Sequence, residues 1–246
     1  MQTCTCLTTR LLCLLAGLTL LMLSPSSFAA DAPPAGKKLV LKSDSKDGVW
    51  RFYPAAKPDP KLPRVLLVGD SIMNGYRGGV AKHLAGQATV DSWLTPITLK
   101  SPELYEDLRK VLQQGPYAVI HFNIGLHEWQ KGLIPEGQYE PLLKAYVNIF
   151  REEAKGAKLI WASTTSISKS GKLTELDPEN NPTIVERNTI AVKVMQDSGI
   201  PIDDLYGLMS NKLDLKRDIV HWTPKAIALQ AEAVARIIAE QLPQQK

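Results

Sequence analysis

The sequence predicts an α/β protein: a three-layer α/β/α sandwich around a mostly parallel, five-stranded sheet. Three observations carry this prediction. From Arg64 onward, short apolar, β-branched runs alternate with longer amphipathic stretches. Gly or Pro signals separate the two kinds of segment, as at Gly115-Pro116 and Gly199-Ile200-Pro201. Strands joined through helices of this length form βαβ units, and their right-handed crossovers cover both faces of the sheet.

The elements follow in order. "RVLLVG" (64–69) reads as a buried strand, because four branched aliphatics run without interruption to a glycine. A helix near 78–85, the strand "ATVDSW" (88–93) and a helix over 102–113 come next. Then follow the strand "YAVIHFNIG" (117–125), a helix over 139–154, and the strand "KLIWAST" (158–164). A helix over 182–197, the strand "IPIDDLY" (200–206) and a helix over 224–241 complete the set. Upstream, "KKLVLKSDSKDGVWRFYP" suggests a short hairpin turning at Asp47-Gly48, followed by the proline-studded linker "AAKPDPKLP".

The amino terminus has a different character. Arg10 precedes the apolar "LLCLLAGLTLLMLS", and Ser27 and Ala29 stand at the −3 and −1 places of a small-residue cleavage region. The apolar run is shorter than the ~20 residues a membrane span needs. The expected organisation is a signal peptide over 1–29, an extension and linker over 30–60, and one domain over 61–246. Export implies a secreted or periplasmic location with no membrane anchor after cleavage. All three cysteines, Cys4, Cys6 and Cys13, fall inside the signal. The remainder therefore lacks a disulfide, a thiolate nucleophile or a cysteine-held metal. The formal charge of +4 is scattered, with no run of five like charges, so nothing points to nucleic acid.

The chemistry begins at Gly69-Asp70-Ser71, where the first strand ends. In an open α/β sheet this end faces the ligand crevice, and the turn after "YAVIHFNIG" reaches the same place. Ser71 is there either as a helix N-cap or as a nucleophile. A nucleophilic serine needs a base. Of four histidines, His83 reads as a surface residue and His121 as a hydrogen-bonded core residue, which leaves His127 and His221. His221 lies in "RDIVHWTPKAIALQ", where Thr223-Pro224 marks the start of the last helix. Asp218, three residues earlier, is placed to hold one imidazole nitrogen while the other faces a serine, the logic of a Ser-His-Asp triad.

Gly69-Asp70-Ser71 after the first strand, together with Asp218-x-x-His221 before the carboxyl-terminal helix, resembles the SGNH/GDSL hydrolase family. The resemblance spans nearly all of 64–241 and implies a flavodoxin-like SGNH hydrolase fold. It further implies that Ser71 attacks, that His221 is general base and then acid, and that Asp218 orients His221. No Gly-x-Ser-x-Gly elbow is present, so the α/β-hydrolases proper do not match.

In that family the oxyanion hole draws on the serine amide, a glycine of a second block, and the asparagine of a Gly-x-Asn-Asp block. Here "HFNIGLHEW", aligned on Gly125, puts His127 in the asparagine's place and Glu128 in the aspartate's. The expected donors are the Ser71 amide with His127 or, second, Asn123; a neutral imidazole has one N–H to give. No Gly-x-Asn follows "ATVDSW", which leaves Thr95 or Thr98 as second-block candidates. Asp70, Trp129 and Trp222 are the candidate substrate contacts, the rings (with Trp93) either facing sugar or acyl groups or wedging loops onto the sheet.

Neither a His-Glu-x-x-His helix nor a P-loop occurs, so no metal or other cofactor is expected. The expectation is an exported serine esterase acting on a small-molecule or glycan ester, with carbohydrate O-acetyl groups as first substrate. An O-acyltransferase on the same triad, or a non-catalytic carbohydrate-binding module, are the alternatives.

Overall fold

The structure is a computed structural model that describes residues 51–243. The signal segment (1–29) and the expected turn at Asp47-Gly48 lie outside the described residues.

The chain runs β1 (Phe52–Tyr53), β2 (Arg64–Gly69), α1 (Ser71–His83), β3 (Thr89–Leu94), α2 (Pro102–Leu112), β4 (Val119–Phe122), α3 (Tyr139–Glu153) and β5 (Lys158–Ala162). It continues through β6 (Ser168–Lys169), β7 (Lys172–Leu176), α4 (Asn181–Asp197), β8 (Ile202–Asp203), α5 (Leu205–Met209) and α6 (Pro224–Gln241). Single 3₁₀ turns cover Leu126–Glu128 and Leu213–Leu215. The main sheet has the order β1-β3-β2-β4-β5-β8 and is parallel except for β1.

Alternation along the strands divides the core into two layers. Leu66 and Val68 of β2, with Ile120 and Phe122 of β4, face α2, α3 and α4. Val65 and Leu67 face α1 and α6, meeting Met73, Tyr76, Val80, Ala231, Val234 and Ile238. From β2 the chain turns to β3 on one side and later to β4 on the other. The carboxyl ends of β2 and β4 therefore flank the crevice of the strand-order reversal.

Three features correct the sequence reading. The sheet has six strands rather than five. The sixth is β1, paired antiparallel to the outer edge of β3 through Phe52↔Trp93 and Tyr53↔Ser92. Asp91 secures that edge: its Oδ1 accepts the Ala55 amide at 2.7 Å and its Oδ2 takes Arg64 at 2.5 Å. Two residues show no period, so such a strand cannot be read locally.

Helix α1 begins at Ser71, well before 78, because the Asp70 carboxylate caps it by accepting the Ile72 amide at 2.8 Å. Gly75, Gly78 and Gly79 inside it are poor helix formers, but α6 packs closely against the helix at Gly79. Residues 168–176 form a β6–β7 hairpin turning through Gly171 at φ +79°. Its sequence sign is the Ser170-Gly171 pair between two short polar runs.

Candidate active site

Ser71 is the first residue of α1, and its Oγ lies 2.8 Å from His221 Nε2 although the two are 150 positions apart. His221 Nδ1 lies 2.9 and 3.0 Å from the two carboxylate oxygens of Asp218. Asp218 Oδ1 also accepts the backbone N–H groups of His221 at 2.7 Å and Val220 at 3.0 Å. Burial acts to raise the Asp218 carboxyl, but those amides and the imidazole outweigh it and hold the group at about 2. An ionised Asp218 keeps the proton on Nδ1, so Nε2 presents a lone pair to Ser71.

The loop carrying Asp218 and His221 is closed at its neck. Lys216 and Trp222 form a β-bridge, and Arg217 donates its amide to the His221 carbonyl at 2.9 Å. Lys216 is buried; its Nζ donates to the carbonyls of Ser166 at 2.5 Å and Val220 at 3.1 Å and sits 3.9 Å from the Trp222 ring centroid. Burial pulls this ammonium down to about 7, against the attraction of Asp218. The β6–β7 hairpin braces the loop from outside, since Ser168 donates its amide to the Ile219 carbonyl at 2.8 Å.

On the opposite side of Ser71, the segment after β4 reaches Gly125 at φ +153°, where a Cβ would come 2.5 Å from Thr164 Oγ1. Only glycine fits that approach. The following 3₁₀ turn carries His127, partly buried and electrostatically coupled to the Asp70 carboxylate. Gly69, Asp70, Thr95, Gly125 and His127 surround a cavity of about 10 Å³, roughly the room of one water. The first-turn amides of α1 have no acceptor within the helix and are oriented at its positive end.

Glu128 is fully buried, and one of its oxygens accepts the Leu99 amide, fastening the β3–α2 loop to the end of β4. Burial pushes its carboxyl up to about 7, opposed by that N–H and by Arg187.

No protein-family model matches this chain, and no curated protein matches it. Solved structures do. A lipase/acylhydrolase from Enterococcus faecalis superposes with a TM-score of 0.60 at 19% identity, covering 75% of this chain and 100% of that one. An acetyl xylan esterase from Geobacillus stearothermophilus gives 0.58 at 17%, covering 74% and 97%. A protein assigned to the SGNH hydrolases, from Slackia heliotrinireducens, gives 0.55 at 16%, covering 72% and 100%.

The chain has the SGNH-hydrolase fold. Within it the structure brings together Ser71, Asp218 and His221, the three residues to which the family resemblance assigned the triad. Not every candidate that it brings to the crevice has a polar group to spare there. Asn123 is committed elsewhere: its amide nitrogen donates to Ala162 O at 2.7 Å and Thr164 Oγ1 at 3.2 Å, so it pins β4 to β5 and has no N–H for an oxyanion. The Thr95 amide is likewise spent on the Gly69 carbonyl at 3.0 Å.

Asp70 is a buried helix cap whose carboxyl burial pushes up, and it lines the small cavity beside His127. Trp222 is buried beneath Lys216 and donates to Thr165 Oγ1 at 3.3 Å, which wedges the loop onto the sheet, and it also lines the cavity beside Ser71 and His221. Trp93 is core, and Trp129, partly exposed, is not among the residues lining the cavity beside Ser71 and His221. His121 is a core residue hydrogen-bonded to Asp203 at 2.9 Å, and His83 is exposed. Sequence reasoning missed the parts played by Lys216 and Glu128. Only Glu128 had a sign, its place in the Gly-x-Asn-Asp alignment.

Proposed function

We propose that the protein is an exported serine esterase that cleaves short-acyl carboxylic esters through an acyl-enzyme on Ser71. The observation that carries this reading is the unbroken chain of contacts from Ser71 Oγ through His221 to Asp218. His221 Nε2 removes the Ser71 proton as Oγ attacks the ester carbonyl carbon. Negative charge collects on the carbonyl oxygen, where the Ser71 amide and the His127 N–H stabilise it. His221 then passes the proton to the departing alcohol oxygen. A water, deprotonated by the same nitrogen, attacks the acyl-enzyme, and Ser71 recovers its proton as the acid leaves.

Asp218, held at about 2, is ionised throughout the neutral range and stabilises the imidazolium formed in each step. Acetyl groups on carbohydrate are the substrate class we favour. The similar structures include a lipase/acylhydrolase and acetyl xylan esterases, and the leader over 1–29 would deliver the enzyme to extracytoplasmic glycans. Transfer of the acyl group to a sugar hydroxyl instead of water uses the same triad, and product analysis with added glycan separates the two. A binding module without turnover has one observation in its favour: His127 and Glu128 stand where the family has Asn and Asp.

The test is hydrolysis of p-nitrophenyl acetate by the purified protein, with a fluorophosphonate label mapped by mass spectrometry. The expected result is turnover and a label on Ser71, both lost in Ser71→Ala with the fold intact. An equal rate in Ser71→Ala removes Ser71 from the mechanism.

A further inference from the structure

A cavity of about 180 Å³ opens beside the dyad, lined by Ser71 and Gly75 of α1, by His221, and by Ile227 and Gln230 of α6. Gln230 is fully buried in its lining, and neither its Nε2 nor its Oε1 has a hydrogen-bond partner among the described residues. Buried amides in folded proteins are almost always paired, because an unpaired donor or acceptor forfeits its hydration with no return. One with both ends unpaired, on a residue that lines a cavity beside Ser71 and His221, is set to be paired when the cavity is occupied.

We infer that this cavity is the leaving-group subsite and that Gln230 reads a hydroxylated alcohol, such as a sugar ring, by accepting from one hydroxyl and donating to another. The inference rests on the esterase reading above and adds the side on which each half of the ester lies. His221 must hand its proton to the departing oxygen, so the alcohol leaves on the imidazole side of Ser71. His127 and the α1 amides define the oxyanion side, and His127 does not line this cavity. Gly75 keeps the space open, since a Cβ there would meet Ile227 at 3.4 Å, an ordinary contact that the fold tolerates.

The test uses matched acetates: methyl 6-O-acetylglucoside, cyclohexylmethyl acetate and methyl acetate, the first two alike in shape and the third too small to need the cavity. Gln230→Met is expected to cut the preference for the glucoside over the cyclohexylmethyl ester at least about tenfold, because a site built for a hydroxyl loses that discrimination. Gly75→Ala is expected to slow both ring esters relative to methyl acetate and serves independently should Gln230→Met not fold. In parallel, saturation-transfer NMR follows binding of methyl glucoside to Ser71→Ala, with and without Gln230→Met.

An unchanged preference in Gln230→Met together with unchanged ring selectivity in Gly75→Ala overturns the subsite and leaves the esterase standing. Gln230-dependent binding without any ester hydrolysis upholds the subsite and removes the esterase. Neither hydrolysis nor Gln230-dependent binding overturns both.

Discussion

Gly79 of α1 and Ala231 of α6 are in such close contact that a Cβ on the glycine would lie 2.6 Å from the alanine Cβ. Helix α1 starts at Ser71 and α6 starts three residues after His221, so this crossing sets how the nucleophile and the base approach each other. Gly79→Ala is expected to destabilise by about 1–3 kcal/mol, overpacking outweighing the better helix propensity of alanine. Ser71 labelling should slow as well. The double variant with Ala231→Gly is expected to recover both, and urea midpoints with labelling rates around that cycle measure it.

The two candidate oxyanion donors, His127 and Asn123, are separable by kinetics. His127→Ala is expected to lower kcat by about 10²-fold with little change in melting temperature, the usual cost of one such donor. Asn123→Ala should do the reverse, since it breaks the tie to Ala162 and Thr164 inside the sheet. A larger kcat loss in Asn123→Ala than in His127→Ala would reverse the assignment.

Glu128 makes stability depend on pH. Its carboxyl is raised from 4.5 to about 7 in the folded state, so between these values the folded chain holds a proton that the unfolded chain has lost. Stability from this group is therefore full below about pH 4.5 and declines as pH rises to about 7, by roughly 3 kcal/mol at most. Glu128→Gln keeps an oxygen for the Leu99 amide but does not titrate. Urea midpoints at pH 5 and pH 8 should differ less in this variant than in the parent.

Lys216 acts on the loop that carries the base. Lys216→Met removes the donor to Ser166 and Val220 but also the cost of a buried cation, so global stability should change by less than about 1 kcal/mol. Fluorophosphonate labelling of Ser71 should nonetheless slow about tenfold, because small displacements of a catalytic group are costly. Equal labelling rates would show that the loop holds His221 without the lysine.

What could be read from the chain alone was whatever a short stretch encodes. The alternation of β-branched runs with amphipathic stretches gave three of the long helices to within a residue or two, and α6 at its observed limits. Asp218 and His221 are three residues apart, so their pairing is a property of one turn, and the strand-end place of Ser71 followed from the glycine and acid before it.

The rest was decided in three dimensions, because contacts across the sheet depend on which segments become neighbours, and no local period records that. The start of α1 was obscured by glycines, of which Gly79 has its reason in the close approach of Ala231 on α6, and β1 was too short to show a period before β3 paired with it. Asn123 and His127 sit one and five residues beyond the last residue of β4 and look alike as donors, but one turns to Ala162 on the next strand and the other stands beside Asp70. Gln230 lies on a helix face like any other polar residue until the fold buries it without a partner beside Ser71 and His221. A side chain's type and spacing fix what it can do; its neighbours, supplied by distant parts of the chain, select what it does.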